Sequence, residues 1–494
     1  MSFQAVSELD GLTFANNQKL IVVSNRLPVE GKVRKGTVRW SPSPGGLVQA
    51  LSQVLRRQDG IWFGWAGLPG EHDVEAGLEE DGIDLGFPVR PVPLTKKEVH
   101  DYYLGFSNEI VWPLFHDLHP YCNFKSGYWE AYEAVNDRFA HAVASHSGAD
   151  DIVWVHDYHL MGVGERLRAR GAGGLLTFFL HIPFPASDTF RRFPWHIDLI
   201  RSMLAYDRIG FQTRHDASNF IRCVLDVMAD VQVVQDGGGW QVTRQGRTTE
   251  VGAFPIGIDA DEITAQANTP EIDARVAHWR SRSDPDHVFL LGVERLDYTK
   301  GIPERLEAFR LALRHYPELR GKVTLLQHVD PSRQGIASYV ELRDRVERLV
   351  GQINGEFGTM DWTPVRYSAR HVDFNEVLAL YRFSDVALVT PVRDGMNLVA
   401  KEFCAAHADD DGILILSQFT GAAEQLGANA ILVNPHDADA MAKAIHDACA
   451  MPPEERRRRM KALREAVRQH CVRWWVHEFL PEQAPQVART AVRA

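Results

Sequence analysis

Two cations five residues apart, Arg295 and Lys300 in GVERLDYTKGI, follow an apolar run that ends near Val293. At that spacing a guanidinium and an ammonium can reach the two phosphates of a nucleoside diphosphate, neutralising its charge as it departs. A surface ion network among Glu294, Arg295, Asp297 and Lys300 is the competing reading. A second segment, DVALVTPVRDGMNLVAKEF, puts Asp394, Gly395, Met396, Asn397 and Leu398 in a tight loop that opens a helix. Gly395 lets the backbone approach a ligand, and a helix start offers free N–H groups to phosphate. Asp394 can accept hydrogen bonds from the hydroxyls of a transferred sugar, and Glu402, about a turn on, from those of a ribose. An N-capping acid followed by an ordinary helical glutamate would look the same.

Other polar residues follow apolar runs in the first half. Arg26 comes after LIVVSN, and Gly45–Gly46 open a helix in PSPGGLVQAL, where they can cradle phosphate or simply turn the chain. The stretch Val29–Pro44 between them reads as a mobile loop able to fold over bound sugars. His156, Asp157 and His159 lie in VWVHDYHL, and His181 in FFLHIPFP. A metal site at His156 and His159 would need a third ligand that the neighbourhood does not supply. Asp157 as an acceptor-binding carboxylate and His181 as a donor-sugar contact fit better, although either histidine could be a core residue. Trp65, Tyr103 and Trp112 can stack on sugars or donate to phosphate, or merely fill the core. Arg333, in HVDPSR, is placed to reach an anionic acceptor across a cleft.

The elements that must position these residues alternate along the chain. Short Val/Ile/Leu/Phe runs begin at Lys19, Ile61, Asp151 and Leu175, and the pattern restarts with HVFLLGV, KVTLLQHV, DVALVTP, GILILS and AILVNP. Such runs are expected of strands buried on both faces of a parallel sheet. Between them, Thr95 and Glu98 form a capping-box pattern ahead of a helix, and Pro303 suits the first turn of another. The alternation predicts two doubly wound, Rossmann-like α/β domains facing across a cleft. The expected divisions are a tail at 1–18, a first Rossmann-like domain at 19–253, a second at 254–475, and a helix at 476–494 crossing back. The first boundary is set just after the polar, turn-rich QDGGGWQVTRQGRTTE. The basic run EERRRR reads as a solvated helix face.

Composition narrows the function. The 494 residues are 45% hydrophobic and 24% charged, as in a globular protein with a large core. A net charge of −11 argues against nucleic acid as a partner. No apolar run is long enough to span a membrane, and the amino end lacks the pattern of a secretory signal. Five scattered cysteines suit the reducing cytoplasm.

Read in order, SNR, GGL, WFGW, YYLGFSN, HDYHL, FFLHIPFP, GFQT, PIGID, VERLDYTKG, PSR, INGEFG and RDGMNLVAKE make the chain resemble the trehalose-6-phosphate synthase family. The resemblance implies a glycosyltransferase-B fold, a nucleotide-glucose donor (UDP- or GDP-glucose), glucose 6-phosphate as acceptor, and no required metal or cofactor. It implies a homo-oligomer, dimer or tetramer. Gly46, Arg295, Lys300, Asp394, Gly395, Met396, Asn397, Leu398 and Glu402 match donor positions, with His181 facing the transferred glucose. Arg26, Trp65, Tyr103, Trp112, Asp157 and Arg333 match acceptor positions, with Arg26 and Arg333 on the phosphate. Arg295, Lys300, Asp394 and His181 are the implied catalytic set. The implied reaction retains configuration, the acceptor attacking on the face that the diphosphate leaves, with no protein nucleophile. The stretch HDLHPYCNFKSGYW is less typical. It keeps open another acceptor, as in a glucosylglycerol-phosphate synthase or a cyclitol-using pseudo-glycosyltransferase; a non-catalytic sugar-phosphate sensor is a rival from another class, against which the intact Arg295, Lys300, Asp394 and Glu402 set speaks.

Overall fold

The computed structural model describes residues 18–34, 36–43, 46–57, 60–333 and 335–480. Strand–helix alternation becomes two sheets. The first has nine strands in the order Val89–Pro91, Ile61–Trp65, Leu20–Arg26, Ile152–His156, Leu175–Phe179, Arg208–Phe211, Arg247–Ala253, Gly239–Arg244, Val231–Asp236. Its first seven strands run parallel, and the last two are added antiparallel. The second sheet is wholly parallel, in the order Val365–Ala369, Val323–Asp330, Val288–Arg295, Val386–Val389, Ile413–Ser417, Ile431–Val433.

The buried runs named from sequence are central strands of the two sheets, apart from AILVNP, which forms the edge strand Ile431–Val433; a strand covered by helices on both faces is apolar throughout. In each sheet the order reverses beside one strand, and ligands of open α/β sheets bind at such switch points, beyond the carboxyl ends. The reversal flanks Leu20–Arg26 in the first sheet and Val288–Arg295 in the second, the strands that end in Arg26 and Arg295.

Three segments differ from the sequence reading. Val29–Pro44 is not an irregular loop. Val29–Arg34 and Thr37–Pro42 pair as an antiparallel hairpin, with residues 35 and 44 outside the described ones. Trp40 anchors the hairpin, buried and donating its N–H to Asp81 at 2.7 Å. The segment QDGGGWQVTRQGRTTE is not a linker of turns but the edge meander of the first sheet. Its half-exposed strands carry as many polar as apolar residues, which hid them, and Gln245 and Gly246 turn between two of them with φ of +50° and +78°. The helix that packs against the first sheet spans Val472–Phe479, beginning ahead of residue 476, while residues 481–494 lie outside the described ones. Trp475 meets Trp154 at 5.0 Å and Phe479 meets Phe179 at 5.1 Å. Among the described residues no helix is long and apolar enough to cross a membrane.

Candidate active site

The loop after Val288–Arg295 does not fold as a surface ion network. Its charges diverge to separate partners. Glu294 turns inward to Arg305, a fully buried guanidinium, at 2.6 Å. Asp297 pairs with Arg333 at 3.2 Å, and Lys300 with Asp394 at 2.5 Å. Arg295 is exposed, has no hydrogen-bond or ion-pair partner among the described residues, and lies 5.8 Å over the Trp112 ring. A cation held by no ion pair or hydrogen bond at a switch point is available to an anion.

Asn397, not Asp394, caps the helix Leu398–Ala406. Its φ is +68°, and its side chain accepts from the N–H of Ala400 at 3.3 Å. Asp394 is thereby free to take Lys300, the Asn397 amide at 3.1 Å, and the Met396 N–H at 3.3 Å. Burial alone would raise its pKa, but the Lys300 ammonium outweighs that and holds the carboxyl below its ordinary range. Burial pushes Glu402 upward, and Tyr381 donates its hydroxyl to it at 2.9 Å. Gly395 is where the halves touch: a Cβ there would fall 2.4 Å from the His181 carbonyl oxygen. Met396 and Leu398 pack onto the apolar cluster of the first half. Gly46 begins the helix Gly46–Arg57, while Gly45 lies outside the described residues.

On the first half, Arg26 lies 4.8 Å over the Trp65 ring, and Trp65 donates to the Leu68 carbonyl at 2.8 Å. Trp65 in turn meets Tyr103 edge-on at 5.6 Å. Asp157 takes a φ of +72° at the strand end and accepts the His181 N–H at 3.3 Å. Burial pushes the Asp157 carboxyl up to about 7, with Arg295 and Arg333 pulling the other way. Arg333 comes from the second half but reaches the first. Its guanidinium is 4.4 Å over the Trp112 ring and 3.4 Å from the Tyr158 hydroxyl. Core packing and cation contact are both true of Trp65 and Trp112, which are buried yet present a face to an arginine.

The side chain of His181 is held within the first half. It is buried, and its ring nitrogens meet Gln212 at 3.2 Å and His156 at 3.1 Å, so only the backbone faces Gly395. The strand end thus orients the ring into the core of the first half. Burial pushes the His181 ring down to about 3. His156 is enclosed by His181, Trp154 and Trp475, whereas His159 stacks on Tyr103 at 5.9 Å. Among the described residues no group of three His, Cys, Asp or Glu is arranged to hold a metal ion.

Sequence reasoning passed over Asp297 as more than a surface charge. It is completely buried and accepts from Thr299 N–H at 3.0 Å, Thr299 Oγ1 at 3.0 Å, Trp112 Nε1 at 3.4 Å, Arg333 and the Tyr339 hydroxyl at 3.0 Å. It ties the loop after Arg295 to Arg333, and an aspartate inside a loop of cations was the available signal.

Two mainly parallel-sheet halves meeting at Gly395, each with cations at its switch point, make the two-domain arrangement of a glycosyltransferase-B fold. The model of glycosyltransferase family 20 matches residues 18–484. The trehalose-6-phosphate synthase of Mycobacterium sp. (strain JLS) is 42% identical over 473 residues, 94% of this chain and 96% of that protein. The synthase of Mycolicibacterium smegmatis (strain ATCC 700084 / mc(2)155) is 41% identical over 95% of this chain and 93% of that protein. Among solved structures, the UDP-forming alpha,alpha-trehalose-phosphate synthase of Burkholderia xenovorans in complex with glucose-6-phosphate superposes with a TM-score of 0.83, at 34% identity, over 93% of this chain and 98% of that one. An E. coli chain bound with UDP-2-fluoro glucose also gives 0.83 at 34% identity, over 93% of this chain and 97% of that one. The chain belongs to glycosyltransferase family 20.

Proposed function

We propose that the chain is a trehalose-6-phosphate synthase, transferring glucose from UDP-glucose to glucose 6-phosphate with retention of configuration. The observation that carries this is the pair of cationic groups, one on each side of the contact at Gly395. On the second half Lys300 pairs with Asp394, which also holds Asn397, and Arg295 lies five residues from Lys300; on the first half Arg26 lies over Trp65, which meets Tyr103, and Arg333 reaches across to Tyr158. UDP as the nucleotide is supported by the relatives described as UDP-forming or bound with a UDP-sugar.

In this reading Arg295 and Lys300 hold the diphosphate and neutralise the charge that grows on it, the electrostatic form of transition-state stabilisation. Asp394 and the backbone from Gly395 to Leu398 orient the glucose, and Glu402 holds the ribose. Arg26 and Arg333 hold the acceptor phosphate, while Asp157 accepts from the acceptor hydroxyls. The acceptor hydroxyl attacks on the face vacated by the diphosphate, whose oxygen takes the proton. The enzyme contributes positioning and charge rather than a covalent intermediate. A cytoplasmic location suits these substrates and the unpaired cysteines.

The test is nucleotide release from UDP-, GDP- and ADP-glucose, with and without glucose 6-phosphate, with the product identified. Release that requires glucose 6-phosphate and yields trehalose 6-phosphate supports the proposal. Turnover only with glycerol phosphate or a cyclitol phosphate overturns the acceptor, and no turnover with any pair overturns the enzyme.

A further inference from the structure

The stretch HDLHPYCNF takes no part in the chemistry above. It continues from the helices Val99–Val111 and Trp112–Phe115, which carry Tyr103 and Trp112, and turns at Asp117 with a φ of +60°. From there it reaches both anion-facing loops of the second half. Asp117 pairs with Arg393, the neighbour of Asp394, at 2.9 Å. Tyr121 stacks on Tyr298, between Arg295 and Lys300, with centroids 4.7 Å apart and planes within 3°. Between these contacts His116 fixes the turn, with Nδ1 2.7 Å from the Trp112 carbonyl oxygen. Burial pushes that ring down to about 4, so it stays neutral. Tyr121 is 46% exposed, so core packing does not dictate its place.

We infer that Asp117 and Tyr121 are positioning residues that couple the acceptor pocket to the donor loops, so that binding of either substrate favours binding of the other. The inference rests on the assignment of the two pockets proposed above. An acceptor that orders Tyr103 and Trp112 orders the segment behind them. Through Arg393 and Tyr298 it then orders the loops that hold the diphosphate. No large movement is needed, since ordering one end lowers the entropic cost at the other. By linkage the effect is equal read from either ligand.

Calorimetric titration of UDP, with and without saturating glucose 6-phosphate, tests this on the full chain, Asp117→Asn, Tyr121→Ala and the double variant. Asparagine tolerates the left-handed backbone at position 117 and removes only the charge. Unsubstituted protein is expected to bind UDP at least about fivefold more tightly when glucose 6-phosphate is present. Asp117→Asn lowers that ratio about two- to fivefold, as a half-exposed ion pair should. Tyr121→Ala lowers it about two- to tenfold. The double variant binds UDP almost equally in both conditions, while each ligand alone binds about as in the unsubstituted protein. A double variant that keeps the full ratio, or an unsubstituted protein with none, overturns the inference. Failure of the unsubstituted protein to bind either ligand contradicts the functional assignment instead.

Discussion

Gly67→Ala should damage acceptor binding although Gly67 touches no substrate in our account. Gly67 has a φ of +85°, and a Cβ there would lie 2.3 Å from Nη2 and 2.7 Å from Cζ of Arg26. The colliding atoms are the far end of a flexible side chain, so the guanidinium swings out rather than the sheet giving way. Alanine in that left-handed backbone adds about 1–2 kcal/mol of strain. Once displaced, Arg26 leaves the Trp65 face, now 4.8 Å away, and loses its reach to the acceptor phosphate. A hydrogen bond to a charged group contributes about 1.5–3 kcal/mol, so the Michaelis constant for glucose 6-phosphate should rise roughly ten- to a hundredfold. The constant for UDP-glucose should change by less than about threefold, since the donor contacts lie on the other half. The assay is steady-state UDP release, varying each substrate at saturation of the other, with Arg26→Ala alongside. Arg26→Ala should match Gly67→Ala, and the double variant should add only a small loss of thermal stability. If Gly67→Ala leaves acceptor kinetics intact while Arg26→Ala does not, Gly67 is not what aims Arg26. If both Michaelis constants rise together, Arg26 does not belong to the acceptor pocket.

Three further outcomes are expected. The Asp157 carboxyl, pushed up to about 7 by burial, accepts from hydroxyls more strongly and at both oxygens when ionised. Acceptor affinity should therefore fall up to about tenfold between pH 8 and pH 6 beyond the titration of the sugar phosphate itself, and Asp157→Asn should abolish that extra fall. Lys300→Met leaves Asp394 buried without its counter-charge, which should cost about 3–5 kcal/mol of stability and most of the turnover. The depressed Asp394 pKa gives stability that is present above the ordinary carboxylate range and lost as pH falls through the folded value. Lys300→Met reverses the shift, so the variant's stability deficit against the unsubstituted protein, read by denaturant unfolding, should be largest near neutral pH and shrink as pH falls through the carboxylate range; a deficit that does not change with pH would count against the pairing. Arg333→Ala should raise the acceptor Michaelis constant about tenfold or more while sparing the donor. Adding Asp297→Asn to Arg333→Ala should restore stability but not acceptor binding, and equal weakening of both substrates would reject the role.

What the sequence made legible follows from burial. Strands such as LIVVSN and VFLLGV are apolar on both faces, and a side chain just past such a strand must stand at the sheet's carboxyl edge. Arg26, Asp157, Arg295 and Arg333 could therefore be placed without coordinates. The edge meander from Val231 to Ala253 and the hairpin around Trp40 escaped because their exposed faces are polar, which reads as loop. Partners distant in sequence escaped for another reason. Nothing local to Asp117 points to Arg393, and nothing local to Asp297 says that it is buried against Arg333 rather than solvated beside Lys300. His181 shows the limit of position: its place at a strand end was right, but its ring direction is set by Gln212 and His156.

The central claim is a division of labour, with the diphosphate held by the second half and the acceptor phosphate held between Arg26 and Arg333. A crystal structure with UDP and glucose 6-phosphate bound together tests it most directly. The UDP phosphates are expected within hydrogen-bond distance of Arg295 and Lys300, and the sugar phosphate within reach of Arg26 and Arg333. A sugar phosphate bound away from both arginines, or a diphosphate resting on the first half alone, would contradict it.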